Sequence, residues 1–188
     1  MLDRLMPPSR ARLLGFLLMN PAGDFYLREI ARLTGLQLYS VQRELALLEE
    51  IGLVSRTRRG RQVFFRVRTE HPLFPELRAL VVKTVGLVIP LRAALLKAGG
   101  VFAAAVFGSV AAGTDTGASD VDLLVVGEVD GVRLHEAVAE VEGQTGRQVN
   151  YVEMTVPELR SRRATHDPFL ERVLAGVLLP VVGELDAV

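Results

Sequence analysis

Apolar residues recur at helical spacing through the first third of the chain. Leu13, Leu14, Leu17 and Leu18 make one face of a first helix, which Ser9 can cap and which runs to about Met19 before Asn20-Pro21-Ala22-Gly23 ends it. Ile30, Ala31 and Leu33 mark a second helix over about residues 27–33, with Thr34-Gly35 as its stop. A third, over about residues 40–50, places Val41, Leu45 and Leu48 at i, i+4 and i+7, with Ile51 closing the stripe and Gly52 halting it. The period then shortens. Residues 53–57 and 63–67 read as two strands around the turn Arg58-Arg59-Gly60-Arg61. From Pro72 to about Lys97 the spacing is helical again, with a break expected near Gly86 or Pro90.

The second half alternates between the two periods. Residues 101–107 are a continuous apolar run, suited to a strand covered on both faces. Gly108-Ser109 opens a short helix, a polar loop runs from Thr114 to Ser119, and residues 121–126 form the next strand. A helix over about residues 131–142, a strand over 148–154 and a helix from Pro157 follow, and the apolar stretch from Arg172 to Val182 packs last. The order β-α-β-α-β-α predicts a small α/β or α+β domain. The expected division is a first domain over residues 1–70, a helical connector over 71–98 and a second domain over 99–188, with an α+β class for the whole.

Composition fits that picture. The 188 residues, 49% hydrophobic and 23% charged, suit one domain or two small ones and exclude a disordered chain. Without cysteine there are no disulfides, thiolate metal sites or cysteine nucleophiles. His71, His135 and His166 show no ligand spacing and read as surface or capping residues. The opening residues lack the apolar core of a signal peptide. The longest uncharged run, residues 98–114, is interrupted by four glycines and too short to span a bilayer. The expectation is a cytoplasmic protein that does not engage membranes.

The net charge of zero conceals a division. Residues 1–70 carry twelve arginines and no lysine against seven acids, and the remainder carries the compensating acidic excess. A basic half joined to an acidic half implies two modules with different partners.

In the basic half, the string from Arg28 to Val54 resembles a winged helix-turn-helix of the ArsR or MarR kind over roughly residues 9–70. Small Ala31 lets two helices approach, Gly35 makes the turn, and the Val41/Leu45 stripe faces the second helix. Tyr39, Ser40, Gln42 and Arg43 then fall on the edge of the third helix that would enter a major groove. Arginine and glutamine form bidentate contacts with base edges, and serine holds phosphate. Arg58, Arg59 and Arg61 at the hairpin turn suit backbone or minor-groove contact. The resemblance implies binding of double-stranded DNA as a homodimer on a palindromic site. A solvated hairpin face, or a protein-docking module, is the competing reading.

In the acidic half, Phe107-Gly108-Ser109 is followed after ten residues by Asp120-Val121-Asp122-Leu123-Leu124-Val125. Residues i and i+2 of a strand share a side, so Asp120 and Asp122 form one dicarboxylate edge suited to Mg²⁺ or Mn²⁺ held jointly with phosphates. Gly108 lets a phosphate approach the backbone, and Ser109 adds a hydroxyl at a helix start. Gly113-Thr114-Asp115 lacks the lysine of a Walker loop, which excludes an ATPase of that type.

The pattern resembles the minimal nucleotidyltransferases of the polymerase-beta superfamily over roughly residues 99–180. That resemblance implies a small mixed sheet with helices, a Mg-bound nucleoside triphosphate, and Asp120 and Asp122 as metal ligands and catalytic residues. It also implies a third carboxylate on a later strand, where this chain has Asn150 in Gly146-Arg147-Gln148-Val149-Asn150-Tyr151. Glu153, three residues on, falls on the opposite face of a regular strand. Three functions remain open at this point. The protein is a DNA-binding regulator that senses a nucleotide, or a nucleotidyltransferase acting on a hydroxyl of a partner protein (as antitoxins among its relatives do), a small molecule or a nucleic acid. In the third, the second domain is a degenerate dimerisation scaffold.

Overall fold

A computed structural model describes residues 2–115 and 119–185, so residues 116–118 of the expected polar loop lie outside the described residues. The fold is α+β, in two compact units that divide between Leu87 and Val88.

In the first unit, α1 (Pro8–Met19) buries Leu13, Leu14, Leu17 and Leu18 as the spacing predicts. Full burial of such a side chain stabilises by about 1.5–3 kcal/mol. Ser9 is not its cap. Pro7 holds that position without a side-chain bond, and the Ser9 hydroxyl instead donates to Glu44. Next come β1 (Phe25–Tyr26), α2 (Leu27–Thr34) and α3 (Leu38–Glu50). Gly35, with φ 65°, ends α2 in a left-handed conformation that favours glycine. The wing is β2 (Val54–Arg59) and β3 (Gln62–Val67), and the antiparallel sheet has the order β1-β3-β2. Val41, Leu45 and Leu48 are buried, but Ile51 is 54% exposed and does not close their stripe. It lies beyond the helix end, where the chain turns into Gly52. α4 (Phe74–Val82) completes this unit.

The second unit starts with α5 (Val88–Ala98), so the stretch over residues 71–98 is shared between the units. The helical break spans residues 83–87, with Gly86 inside it, while Pro90 sits harmlessly in the first turn of α5. Then follow β4 (Val101–Phe107), α6 (Gly108–Ala112), β5 (Val121–Gly127), α7 (Gly131–Thr145), β6 (Val149–Met154), α8 (Val156–Ala164), α9 (Pro168–Ala175) and β7 (Leu179–Val182). Asp130, Thr155 and Asp167 cap α7, α8 and α9 with their side chains, satisfying otherwise unpaired amides. The sheet order is β6-β5-β4-β7, with β5 and β6 parallel and the other pairs antiparallel. It is the small mixed sheet expected. On one face Ala103, Ala105, Leu124, Val126 and Met154 pack with Leu159, Leu170 and Val173. Ala104, Val106, Leu123 and Val125, which alternate with them, are buried too. No described helix is long and apolar enough to cross a membrane.

Candidate functional site

The end of β4 and the start of β5 bring the Gly-Ser turn to the carboxylates. Phe107 pairs with Asp122 across the antiparallel ladder, which sets Gly108 directly against the Asp122 side chain. A Cβ on Gly108 would stand 2.4 Å from Asp122 Oδ2, and its φ is 73°, so glycine alone fits there. Ser109 follows in the first turn of α6, half-buried. Burial, and then the charge of Asp120, push the Asp122 carboxyl above the ordinary carboxylate range. Asp120 itself is exposed just ahead of β5.

Asn150 belongs to the same cluster. It pairs in register with Asp122 on the parallel neighbour β6, and its Nδ2 donates to Asp120 Oδ2 at 3.1 Å. The β5–β6 register runs without a bulge to Met154, so Glu153 lies on the opposite face, as a regular strand requires. It lines a cleft of about 430 Å³ with Gly127, Glu128, Asp130 and Thr155, at the far end of these strands. Among the described residues no three histidine or carboxylate side chains gather into a metal cluster.

Arg147 was not legible as a site residue. Its guanidinium is buried and bonds both to the Asp115 carboxylate, at 2.9 Å, and to the Ser119 carbonyl, at 3.1 Å from Nε. Ser119 immediately precedes Asp120 in the chain.

In the first unit, Tyr39, Gln42 and Arg43 are exposed on α3 and Ser40 is half-buried beside them. Tyr39 is 73% exposed, a large aromatic surface without packing. Arg43 also reaches Glu44, whose side chain is 1% exposed and which accepts from Ser9, Arg10 and Arg43. Burial raises the Glu44 pKa, but hydrogen bonds from Arg10, Arg43 and Ser9 outweigh it and hold the carboxyl below its usual range. Glu44 occupies i+3 of the Val41/Leu45/Leu48 stripe, and an acid on an apolar stripe was the overlooked clue.

On the wing, Arg58 and Arg61 are exposed around Gly60, and Arg58 Nε donates to the Gly60 carbonyl. Arg59 is engaged: it pairs with Asp24 at 2.7 Å and lies 5.3 Å from the Phe64 ring centre. Arg66 holds the other Asp24 oxygen at 2.7 Å.

Two family patterns match the chain, one to each unit. Residues 6–62 match the MarR family, and residues 90–174 match the nucleotidyltransferase domain. The chain joins a MarR-family winged-helix domain to a nucleotidyltransferase domain. No curated protein sequence matches it. A solved structure described as "Crystal structure of the toxin-antitoxin with AMP-PNP" is 19% identical, covering 54% of this chain and 73% of that chain, with a TM-score of 0.38. That likeness is too loose to place a residue. Within the nucleotidyltransferase domain the matched span contains Gly108, Ser109, Asp120, Asp122, Arg147 and Asn150.

Proposed function

We propose that the protein binds double-stranded DNA through its MarR-family domain, as a homodimer that regulates transcription, and binds a metal-complexed nucleoside triphosphate in its nucleotidyltransferase domain. The observation that carries the second half is the seating of Gly108 against Asp122, which leaves backbone rather than a side chain facing the carboxylate. Phosphate approaches such bare backbone closely, and the Ser109 hydroxyl supplies a donor beside it. On the DNA side, exposed Tyr39, Gln42 and Arg43 on α3, with Arg58 and Arg61 on the wing, offer base-edge and phosphate contacts.

The residues fit a divalent cation. Asp120 and Asp122 offer hard oxygen ligands, and a cation would offset what raises the Asp122 pKa, burial first and then the charge of Asp120. Two carboxylates leave the rest of an octahedral shell to phosphates and water, which suits Mg²⁺ or Mn²⁺ bound with the nucleotide. When bound, the ion would neutralise phosphate charge and orient the triphosphate. Asn150 donates to Asp120 and has no basic oxygen to take a proton from an attacking hydroxyl. The site is therefore read as binding, with the nucleotide as a signal, rather than as transferring.

Calorimetric titration with ATP, GTP, CTP and UTP, with and without Mg²⁺, tests this on the wild type and on Asp120→Asn/Asp122→Asn. Metal-dependent binding that the double variant loses is the expected result. No binding by the wild type would overturn the nucleotide reading and leave a scaffold domain. Transfer of a radiolabelled nucleotide to a protein, small molecule or nucleic-acid end, lost in the double variant, would instead make the domain an active transferase.

A further inference from the structure

We propose that Arg147 is a positioning residue that fixes Asp120, the first carboxylate of the pair, by clamping the Ser119 carbonyl that precedes it. The inference rests on the reading that Asp120 and Asp122 hold the metal of a bound nucleotide.

Arg147 is itself set firmly. Gly146, with φ 71°, ends α7 in the left-handed conformation, and its N–H donates to the Glu142 carbonyl at 2.8 Å. The Arg147 N–H donates to Thr145 Oγ1 at 3.3 Å, and that hydroxyl donates in turn to the Val141 carbonyl at 2.9 Å. Two residues on, the Val149 N–H donates to Glu142 Oε1 at 2.7 Å. The base of the side chain is thus pinned to the end of α7 and the start of β6.

Its head holds Asp115 and Ser119. The guanidinium, on a side chain 2% exposed, places Nη1 on Asp115 Oδ2 at 2.9 Å, and the Asp115 side chain is fully buried. Nε and Nη2 both donate to the Ser119 carbonyl, a forked grip that the planar guanidinium allows and an ammonium does not. That carbonyl belongs to the peptide whose nitrogen is Asp120's. On the other side of Asp120, the Val121 N–H donates to the Gln148 carbonyl at 2.9 Å. Asp120 is therefore held between two fixed backbone points, both set by residues 147–148, while its own side chain stays exposed to a ligand.

The test compares wild type, Arg147→Lys and the volume-conserving pair Asp115→Leu/Arg147→Met, which removes the buried charges together. Each is titrated with ATP with and without Mg²⁺, and with Mn²⁺ alone followed by electron paramagnetic resonance. Lysine keeps the charge beside Asp115 but loses the fork on Ser119. The expected result is a melting temperature near that of wild type, metal-dependent nucleotide and Mn²⁺ affinity about tenfold weaker, and metal-free nucleotide affinity unchanged. The leucine–methionine pair, which covers the case in which lysine disturbs folding, is expected to weaken metal binding in the same way.

Folded variants with wild-type metal affinity would overturn the clamp and leave the nucleotide reading standing. Equal weakening with and without metal would assign Arg147 to general stability and overturn the clamp too. A wild type that binds neither nucleotide nor Mn²⁺ would bring down both readings.

Discussion

Asn150 Nδ2 donates to Asp120 Oδ2 across 3.1 Å, from the position on β6 that pairs in register with Asp122 on β5. One neutral amide thus touches one carboxylate and stands beside the other. Replacing it by aspartate removes the donor and adds a third negative charge. Asn150→Asp is expected to unfold more easily than wild type without metal at neutral pH, by roughly 1 kcal/mol, because like charges crowd. Divalent metal should reverse the order, with Mg²⁺ affinity about tenfold tighter. Thermal unfolding across a Mg²⁺ series checks both, and a variant indifferent to Mg²⁺ would show that residue 150 does not face the metal position.

The raised Asp122 pKa makes metal-free stability depend on pH in a defined direction. The folded state binds this proton more readily than the unfolded state. Stability therefore falls as pH rises from the ordinary carboxylate value through the raised one. Asp122→Asn removes that loss, so its advantage over wild type is expected to open across this window and persist at neutral pH. Denaturant unfolding of both proteins between acid and neutral pH, in chelator, measures it. Mg-nucleotide binding to wild type should weaken over the same window as pH falls, since the proton competes for the carboxylate.

Glu44 has the opposite linkage. Its folded pKa is lowered, so its contribution is present above the unfolded carboxylate value and lost as pH falls through the folded one. Glu44→Gln is expected to cost about 1.5–3 kcal/mol at neutral pH, in the range of hydrogen bonds to charged groups. The gap between variant and wild type should narrow in acid. A constant gap would mean that packing, and not the charge shared with Arg10 and Arg43, ties α1 to α3.

On the wing, Asp24 holds Arg59 and Arg66 at 2.7 Å each and offsets their charge. Asp24→Asn is expected to bind a DNA duplex more tightly, with a logarithmic salt slope steeper by about one. Arg43→Ala/Arg59→Ala should bind more weakly, with a shallower slope. Fluorescence anisotropy at several salt concentrations reads both changes. No duplex binding by wild type would end the DNA reading.

The periodic elements were legible because their patterns are local. Residues 101–107 and the dicarboxylate strand were readable from apolar runs, and the wing from paired strands around Gly60. β7 was not, since Pro180 interrupts an apolar stretch that helix and strand fit equally well. β1, two residues long, carries no period at all. Arg147 and Asp24 escaped for another reason. Their partners lie 28 to 42 residues away, and no spacing rule connects an arginine to a carbonyl at that range. Asp120, Asp122 and Gly108 were visible as types at a spacing, whereas what holds them in place belongs to the tertiary structure.

The sheet order β6-β5-β4-β7 also sets a schedule. β4, whose last residue leads into Gly108, lies between β5 and a strand that follows every other described helix and strand. During synthesis its outer edge waits, with unpaired amides and carbonyls, until residues 179–182 have emerged. A chain cut short before Leu179 would carry that open edge permanently. It would be prone to join another copy strand to strand, well before any effect on ligand binding could be measured.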